Sequence, residues 1–152
     1  MRRVWQSRAL ASLLGVYLVA GCVPSTDGIT ASPSPAEGNG CRVTYIADGD
    51  TVHMACSGAG EVKARLLGYD TPEVHSPGCG AELAAGRQAT AILRQIIQSG
   101  PITDARFQGL DRYGRSLVRL EVGGRDVARQ MISTGYAVPY SGGASPIWCR
   151  ML

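Results

Sequence analysis

Long apolar runs are missing from this 152-residue sequence. The nearest approach, Ala9 to Gly21, is apolar apart from Ser12 and Tyr17 and is too short to serve as a permanent bilayer span. Charge of one sign is also scarce. The formal net charge is +3, and setting aside Arg2, Arg3, Arg8, Asp27 and Glu37 leaves twelve basic against ten acidic residues, about +2. So weak a field excludes capture of a polyanion by bulk attraction and leaves any nucleic-acid contact to individually placed arginines. No Cys-x-x-Cys pair occurs, so the usual structural zinc spacing is absent, and His75 with Cys79 would be an isolated pair. Internal repeats are absent too, which excludes a stacked-repeat architecture. The length leaves no room for two full cores, so one small domain with a non-globular end is expected.

What is present begins with an export signal. Met1 to Arg8 is basic, the apolar stretch follows, and Val19-Ala20-Gly21-Cys22 sets small residues before a cysteine. This pattern resembles a bacterial lipoprotein cleavage site: residues 1–21 would be a signal peptide and Cys22 the lipid-bearing mature N-terminus. An ordinary cleaved secretory peptide is the alternative, giving a secreted rather than membrane-anchored protein. Val23 to Gly40 is rich in Ser, Thr, Pro and Gly and offers almost nothing to bury, so residues 22–40 read as a flexible linker. Residues 41–152 are then an extracytoplasmic domain, expected to be a monomer.

Export places the domain in an oxidising compartment, which favours disulfides for Cys41, Cys56, Cys79 and Cys149 over metal ligation. Four cysteines allow three connectivities. Cys41 and Cys56 flank one predicted hairpin at similar distances from its Asp48-Gly49 turn, so they should face each other. That leaves Cys79 with Cys149, a bridge that stabilises mainly by restricting the unfolded chain.

Arg42 to Ala47 and Thr51 to Cys56 are β-rich runs joined by Asp48-Gly49-Asp50, a strong hairpin signal. Ser57 to Gly60 makes a second turn, and Glu61 to Tyr69 alternates well enough through Leu66 for a third strand. A Gly/Pro-rich loop follows. Glu82 to Gln98 then brings Ala89, Ile92, Leu93, Ile96 and Ile97 to helical spacing, stopped by Gly100-Pro101. Ile102 to Phe107 and Ser116 to Val122 are strand candidates, and Arg125 to Ser133 a short helix with Val127, Met131 and Ile132 on one face. The order βββ-α-ββ-α is that of a five-stranded barrel of the oligonucleotide/oligosaccharide-binding (OB-fold) type, an α+β fold.

Strand pairing could gather Asp50, Asp70 and Glu73 at one end of the sheet. Clustered carboxylates need positive charge among them, and a hard cation such as Ca²⁺ takes carboxylate and backbone carbonyl oxygens, so Asp50, Asp70 and the Thr71 carbonyl make a partial shell. Arg65 and Arg115 offer planar guanidiniums suited to the equatorial oxygens of a phosphodiester gaining charge. Each piece also has a plainer reading. Asp48-Gly49-Asp50 fits a simple turn, Asp70-Thr71-Pro72-Glu73 fits a helix start with Asp70 as cap, and Tyr113-Gly114-Arg115 fits a turn with a solvated arginine. His53 and His75 are expected to be structural.

In conjunction, Ile46-Ala47-Asp48-Gly49-Asp50-Thr51, Arg65-Leu66-Leu67-Gly68-Tyr69-Asp70-Thr71-Pro72-Glu73 and Asp111-Arg112-Tyr113-Gly114-Arg115 resemble the three signature segments of the staphylococcal nuclease (thermonuclease) family. The resemblance covers roughly residues 41 to 140. It implies Ca²⁺ on Asp50, Asp70 and the Thr71 carbonyl, Glu73 as general base on water, Arg65 and Arg115 on the transition state, and Tyr113 near a terminal phosphate. It also implies hydrolysis of DNA and RNA by in-line attack, with endonucleolytic cleavage leaving 3′-phosphates. Departures are visible. Val74 to Ala81 holds no lysine where the family's type member has a lysine-rich loop, and the Cys79 bridge would take the place of that member's third helix in closing the barrel. Tyr136 and Tyr140 are candidates for base stacking or for packing. The rival reading is a barrel that binds nucleic acid without cutting it.

Overall fold

The computed structural model describes residues 40–58 and 60–152. The expected signal peptide, the expected lipidation site Cys22 and the expected linker up to residue 39 lie outside the described residues. Strands β1 (Cys41–Ile46), β2 (Thr51–Cys56) and β3 (Gly60–Leu66) form the expected antiparallel meander. Alternation sets the inward face: Val52 and Met54 of β2 and Ala64 and Leu66 of β3 are buried, while His53, Ala55, Lys63 and Arg65 between and beside them reach solvent at least in part. The Asp48-Gly49 turn is tightened by the Asp48 side chain, whose Oδ1 accepts from the backbone N–H of Asp50 at 3.0 Å and of Thr51 at 2.7 Å. Cys41 and Cys56 stand opposite in register and are joined, and Cys79 is joined to Cys149, the pairing the hairpin implied.

Beyond Leu66 the expected third strand divides. Gly68 adopts φ +99°, in the left-handed region that glycine enters without steric cost, and β4 (Gly68–Asp70) leaves the main sheet. It pairs instead with β8 (Val138–Tyr140), Asp70 opposite Val138. Neither short strand was expected. Helix α1 runs Gly80–Gln98, two residues earlier than its periodicity implied, and buries Ala85, Ala89 and Leu93. Because the helix starts at Gly80, Asp70-Thr71-Pro72-Glu73 is not its cap.

Strands β5 (Ile102–Leu110) and β6 (Ser116–Val122) form a second hairpin, β5 running three residues past its expected end. β6 joins the meander through a parallel pairing with β3, Arg65 opposite Leu117, so the main path is β1-β2-β3-β6-β5. Arg125 and Asp126 form a two-residue strand, β7, on β6 rather than the first turn of a helix. Helix α2 is therefore only Val127–Ser133, capped by Asp126 Oδ1 accepting from Arg129 N–H at 2.9 Å. A 3₁₀ turn, Trp148–Arg150, lies near the C-terminus.

The architecture is an OB-like α+β fold with a mixed sheet, but the expected closed barrel is not present. No ladder joins β5 to β1 among the described residues, and irregular pairing at Val43/Tyr45 and at Ile102/Asp104 interrupts both edge strands. The core is filled from both sides by Met54, Leu66, Tyr69, Leu93, Val118 and Met131, each contributing roughly 1.5–3 kcal/mol for the apolar surface it removes from water.

Candidate active site

Three sequence-distant segments meet where β2 begins and β4 ends. Asp50 enters from the hairpin turn, its carbonyl accepting from Leu66 N–H at 2.7 Å, and Asp70 ends β4; they are 3% and 5% exposed. Between them lies Arg65. Its Nη1 pairs with Asp50 Oδ2, and its Nη2 donates to Asp70 Oδ1 at 2.6 Å, so one guanidinium bridges both carboxylates. The remaining Asp50 capacity is met by hydroxyls, Thr51 Oγ1 on Oδ1 and Thr71 Oγ1 on Oδ2, each at 3.1 Å. Tyr69 braces the turn from below, its buried hydroxyl donating to the Gly49 carbonyl at 2.9 Å.

Arg115 is presented by the turn between β5 and β6. Asp111 organises that turn: its Oδ1 accepts from the backbone N–H of Tyr113 and Arg115, and its Oδ2 from Arg115 Nε at 2.7 Å. Desolvation pushes the Asp111 carboxyl up, but these bonds and the Arg115 charge together outweigh it and lower its pKa. Arg115 Nη1 then reaches Thr51 Oγ1 at 3.3 Å, which links the two arginines through the Thr51 hydroxyl and Asp50. Tyr113 is 68% exposed, with the guanidinium carbons of Arg112 and Arg115 at 4.7 and 5.6 Å from its ring centre.

Electrostatically the site is short of positive charge. Burial pushes Asp50 up to about 7, Arg65 opposing and Asp48 and Asp70 adding. Glu73 sits at the solvent rim, yet desolvation of its carboxyl, followed by the fields of Asp48 and Asp70, raises its pKa against the pull of Arg65. Burial works against the charge on Arg65, but the two aspartates outweigh it and raise its pKa further. Arg65, Asp70, Glu73, Tyr113 and Arg115 line an open cleft of about 1130 Å³.

The expected residues are thus brought together, with Asp50 and Thr71 buried under the cleft rather than on its wall. Tyr140 lines the cleft, its ring centre 6.0 Å from the Arg65 guanidinium carbon, while Tyr136 is outside it. His53 packs its ring edgewise against Tyr45 at 5.6 Å, and His75 lies 4.0 Å from Asp48, far from forming a zinc site with the disulfide-bonded Cys79. Four residues were not singled out from sequence: Thr51, Asp111, Glu82 and Trp148. Thr51 and Asp111 lie inside the signature segments, the one signal that pointed to them.

The chain is similar in sequence to several known proteins. An uncharacterized endonuclease of Haemophilus influenzae is 31% identical over 104 residues, covering 68% of this chain and 54% of its own. Endonuclease YhcR of Bacillus subtilis is 30% identical over 105 residues, covering 64% of this chain but 9% of its own, and the succinoglycan biosynthesis protein ExoI of Rhizobium meliloti is 33% identical over 97 residues, 61% and 48%. The chain spans about half the length of the first and third and a small part of the second. Residues 63–146, which carry Arg65, Asp70, Thr71, Glu73 and Arg115, match the staphylococcal nuclease homologue family over more than half of the chain, and the chain belongs to that family.

Proposed function

We propose that this chain is a Ca²⁺-dependent nuclease that hydrolyses phosphodiester bonds of DNA and RNA, working as a monomer outside the cytoplasm and held at a membrane by lipid on Cys22. Support comes above all from one feature: a half-buried guanidinium, Arg65, shared by two buried carboxylates at the floor of an open cleft that Glu73 and Arg115 rim. The donor set fits a hard dication. Asp50, Asp70 and the Thr71 carbonyl offer only oxygen, the donor type such a cation takes. Calcium there would supply positive charge that weakens the phosphate's repulsion of an incoming nucleophile.

The chain's own groups would do the rest. Glu73, at the rim and with its pKa raised by desolvation, accepts a proton from water as the water's oxygen attacks phosphorus in line. The P–O5′ bond breaks, the departing 5′ oxygen takes up a proton, and a 3′-phosphate remains. Arg115, held at Nε by Asp111, keeps donors for the equatorial oxygens, and Arg65 does the same once its aspartates have another cation to face. Tyr113, exposed at the mouth, would contact a terminal phosphate.

The test is degradation of single-stranded DNA and of RNA by the full chain with Ca²⁺ and with chelator. Activity should vanish in chelator. Glu73→Gln should lower kcat by about 10²–10⁴, and Arg115→Ala by about 10²–10³. Cleavage indifferent to chelator would overturn the metal-dependent mechanism, and retention of DNA without cleavage would favour a binding module.

A further inference from the structure

The C-terminal 3₁₀ turn is joined to the site twice. Trp148 is 4% exposed, and its Nε1–H donates to Asp70 Oδ2 at 3.1 Å across 78 residues of sequence. The next residue, Cys149, is bonded to Cys79, the residue immediately before α1 and the end of the loop that carries Thr71 and Glu73. Glu82, buried in the first turn of α1, fastens the same loop: Oε1 accepts from Glu73 N–H at 3.3 Å and Oε2 from Gly78 N–H at 2.6 Å, while Cys149 Sγ lies 3.4 Å from Oε2. Two cysteines and this carboxylate lie close enough to suggest a metal site, but the sulfurs are spent on each other and offer no thiolate.

The buried Trp148 ring and contacts with α1 also hold the turn. Its backbone bonds are internal, Arg150 N–H to Ile147 O at 3.0 Å and Met151 N–H to Trp148 O at 2.9 Å, and Ile147, Met151 and Leu152 are exposed. Asp70, in contrast, has each oxygen fixed by a different donor, Oδ1 by Arg65 and Oδ2 by the indole. Losing the indole leaves a buried carboxylate oxygen without its partner and frees the carboxylate to rotate away from the direction a cation requires.

We propose that Trp148 is a positioning residue for Asp70 and that the Cys79–Cys149 disulfide seats it, so that cation affinity at the site depends on this one bond. The inference rests on the metal-binding reading above. A reductant of the dithiol class opens the bond by thiol–disulfide exchange: Cys79 and Cys149 become thiols, the reductant becomes its own disulfide, and the turn is released.

The experiment uses the full chain carrying Trp5→Phe, which leaves Trp148 as the single indole. Calcium affinity is measured by calorimetric titration, the indole N–H by its NMR resonance, and folding by far-ultraviolet circular dichroism. Trp148→Phe and the pair Cys79→Ala/Cys149→Ala should each weaken calcium binding by roughly 10–100-fold while the circular dichroism holds, and the indole resonance should move to its free position in the cysteine pair. Cys41→Ala/Cys56→Ala should bind as the parent does. Treating that last variant with dithiol, which then opens Cys79–Cys149 alone, should reproduce the loss without further substitution and serves if either variant fails to fold. Equal calcium affinity in the oxidised and reduced forms, or an unmoved indole resonance on reduction, overturns the inference alone. A parent chain that binds no calcium overturns both readings together.

Discussion

Asp50 titrates near 3.8 in an unfolded chain and is pushed up to about 7 here, burial leading and Arg65 opposing. Between those values the folded state holds a proton the unfolded state has lost, so this group's contribution is complete below about pH 4 and is lost as pH rises through 7. In chelator, melting should occur at lower temperature at pH 8 than at pH 5, Asp50→Asn should flatten that difference, and calcium should raise the melting temperature more at pH 8. On the proposed mechanism, Glu73 would act in the other sense on rate. As a base it works only when ionised, and because desolvation and neighbouring acids raise its pKa above 4.5, the rising acidic limb of kcat should lie above that pH and disappear in Glu73→Gln. Asp50, Arg65, Asp70, Glu73 and Arg115 were legible in sequence because each stands in a short local segment whose side-chain chemistry is explicit, whereas Asp111 and Glu82, which bond backbone N–H groups of the site's loops, were not. Nor were Thr51 and Trp148, because their partners Arg115 and Asp70 lie 64 and 78 residues away and no local spacing encodes such contacts.

The loop holding Thr71 and Glu73 is shaped by the helix beneath it. Gly86 is buried inside α1, where glycine costs roughly 0.5–1 kcal/mol against alanine. A Cβ there would lie 2.6 Å from Pro72 O, 2.8 Å from Val74 Cγ1 and 3.0 Å from Glu73 O. The glycine therefore lets the backbone carrying Glu73 rest directly on the helix. Gly86→Ala should cost about 1–3 kcal/mol through overpacking, despite its better helix propensity, and should lower kcat by displacing Glu73, measured by urea unfolding and by the nuclease assay. Hairpins and the long helix were legible, since Asp48-Gly49 and the recurrence from Ala89 to Ile97 are strong periodic signals. Strands β4, β7 and β8 were not: two or three residues are too few to show alternation, and their existence depends on the partner each finds.

At the scale of the whole domain, two disulfides cross-link the described residues, whose sheet does not close. Cys41–Cys56 spans 15 residues and Cys79–Cys149 spans 70. On a chain-entropy model the first is worth about 3 kcal/mol and the second about 4 kcal/mol. Replacing Cys79 and Cys149 should therefore lower stability more than replacing Cys41 and Cys56, and chemical denaturation of the two paired variants measures the difference. The guanidinium of Arg65 has a consequence for the protein's order of events. It gives Asp50 and Asp70 a counter-charge belonging to the chain itself, so the domain is equipped to finish folding in water poor in divalent ions, its carboxylates already spaced. Calcium would then arrive at a completed site, as an exchange of one cation for another and not as a trigger of folding.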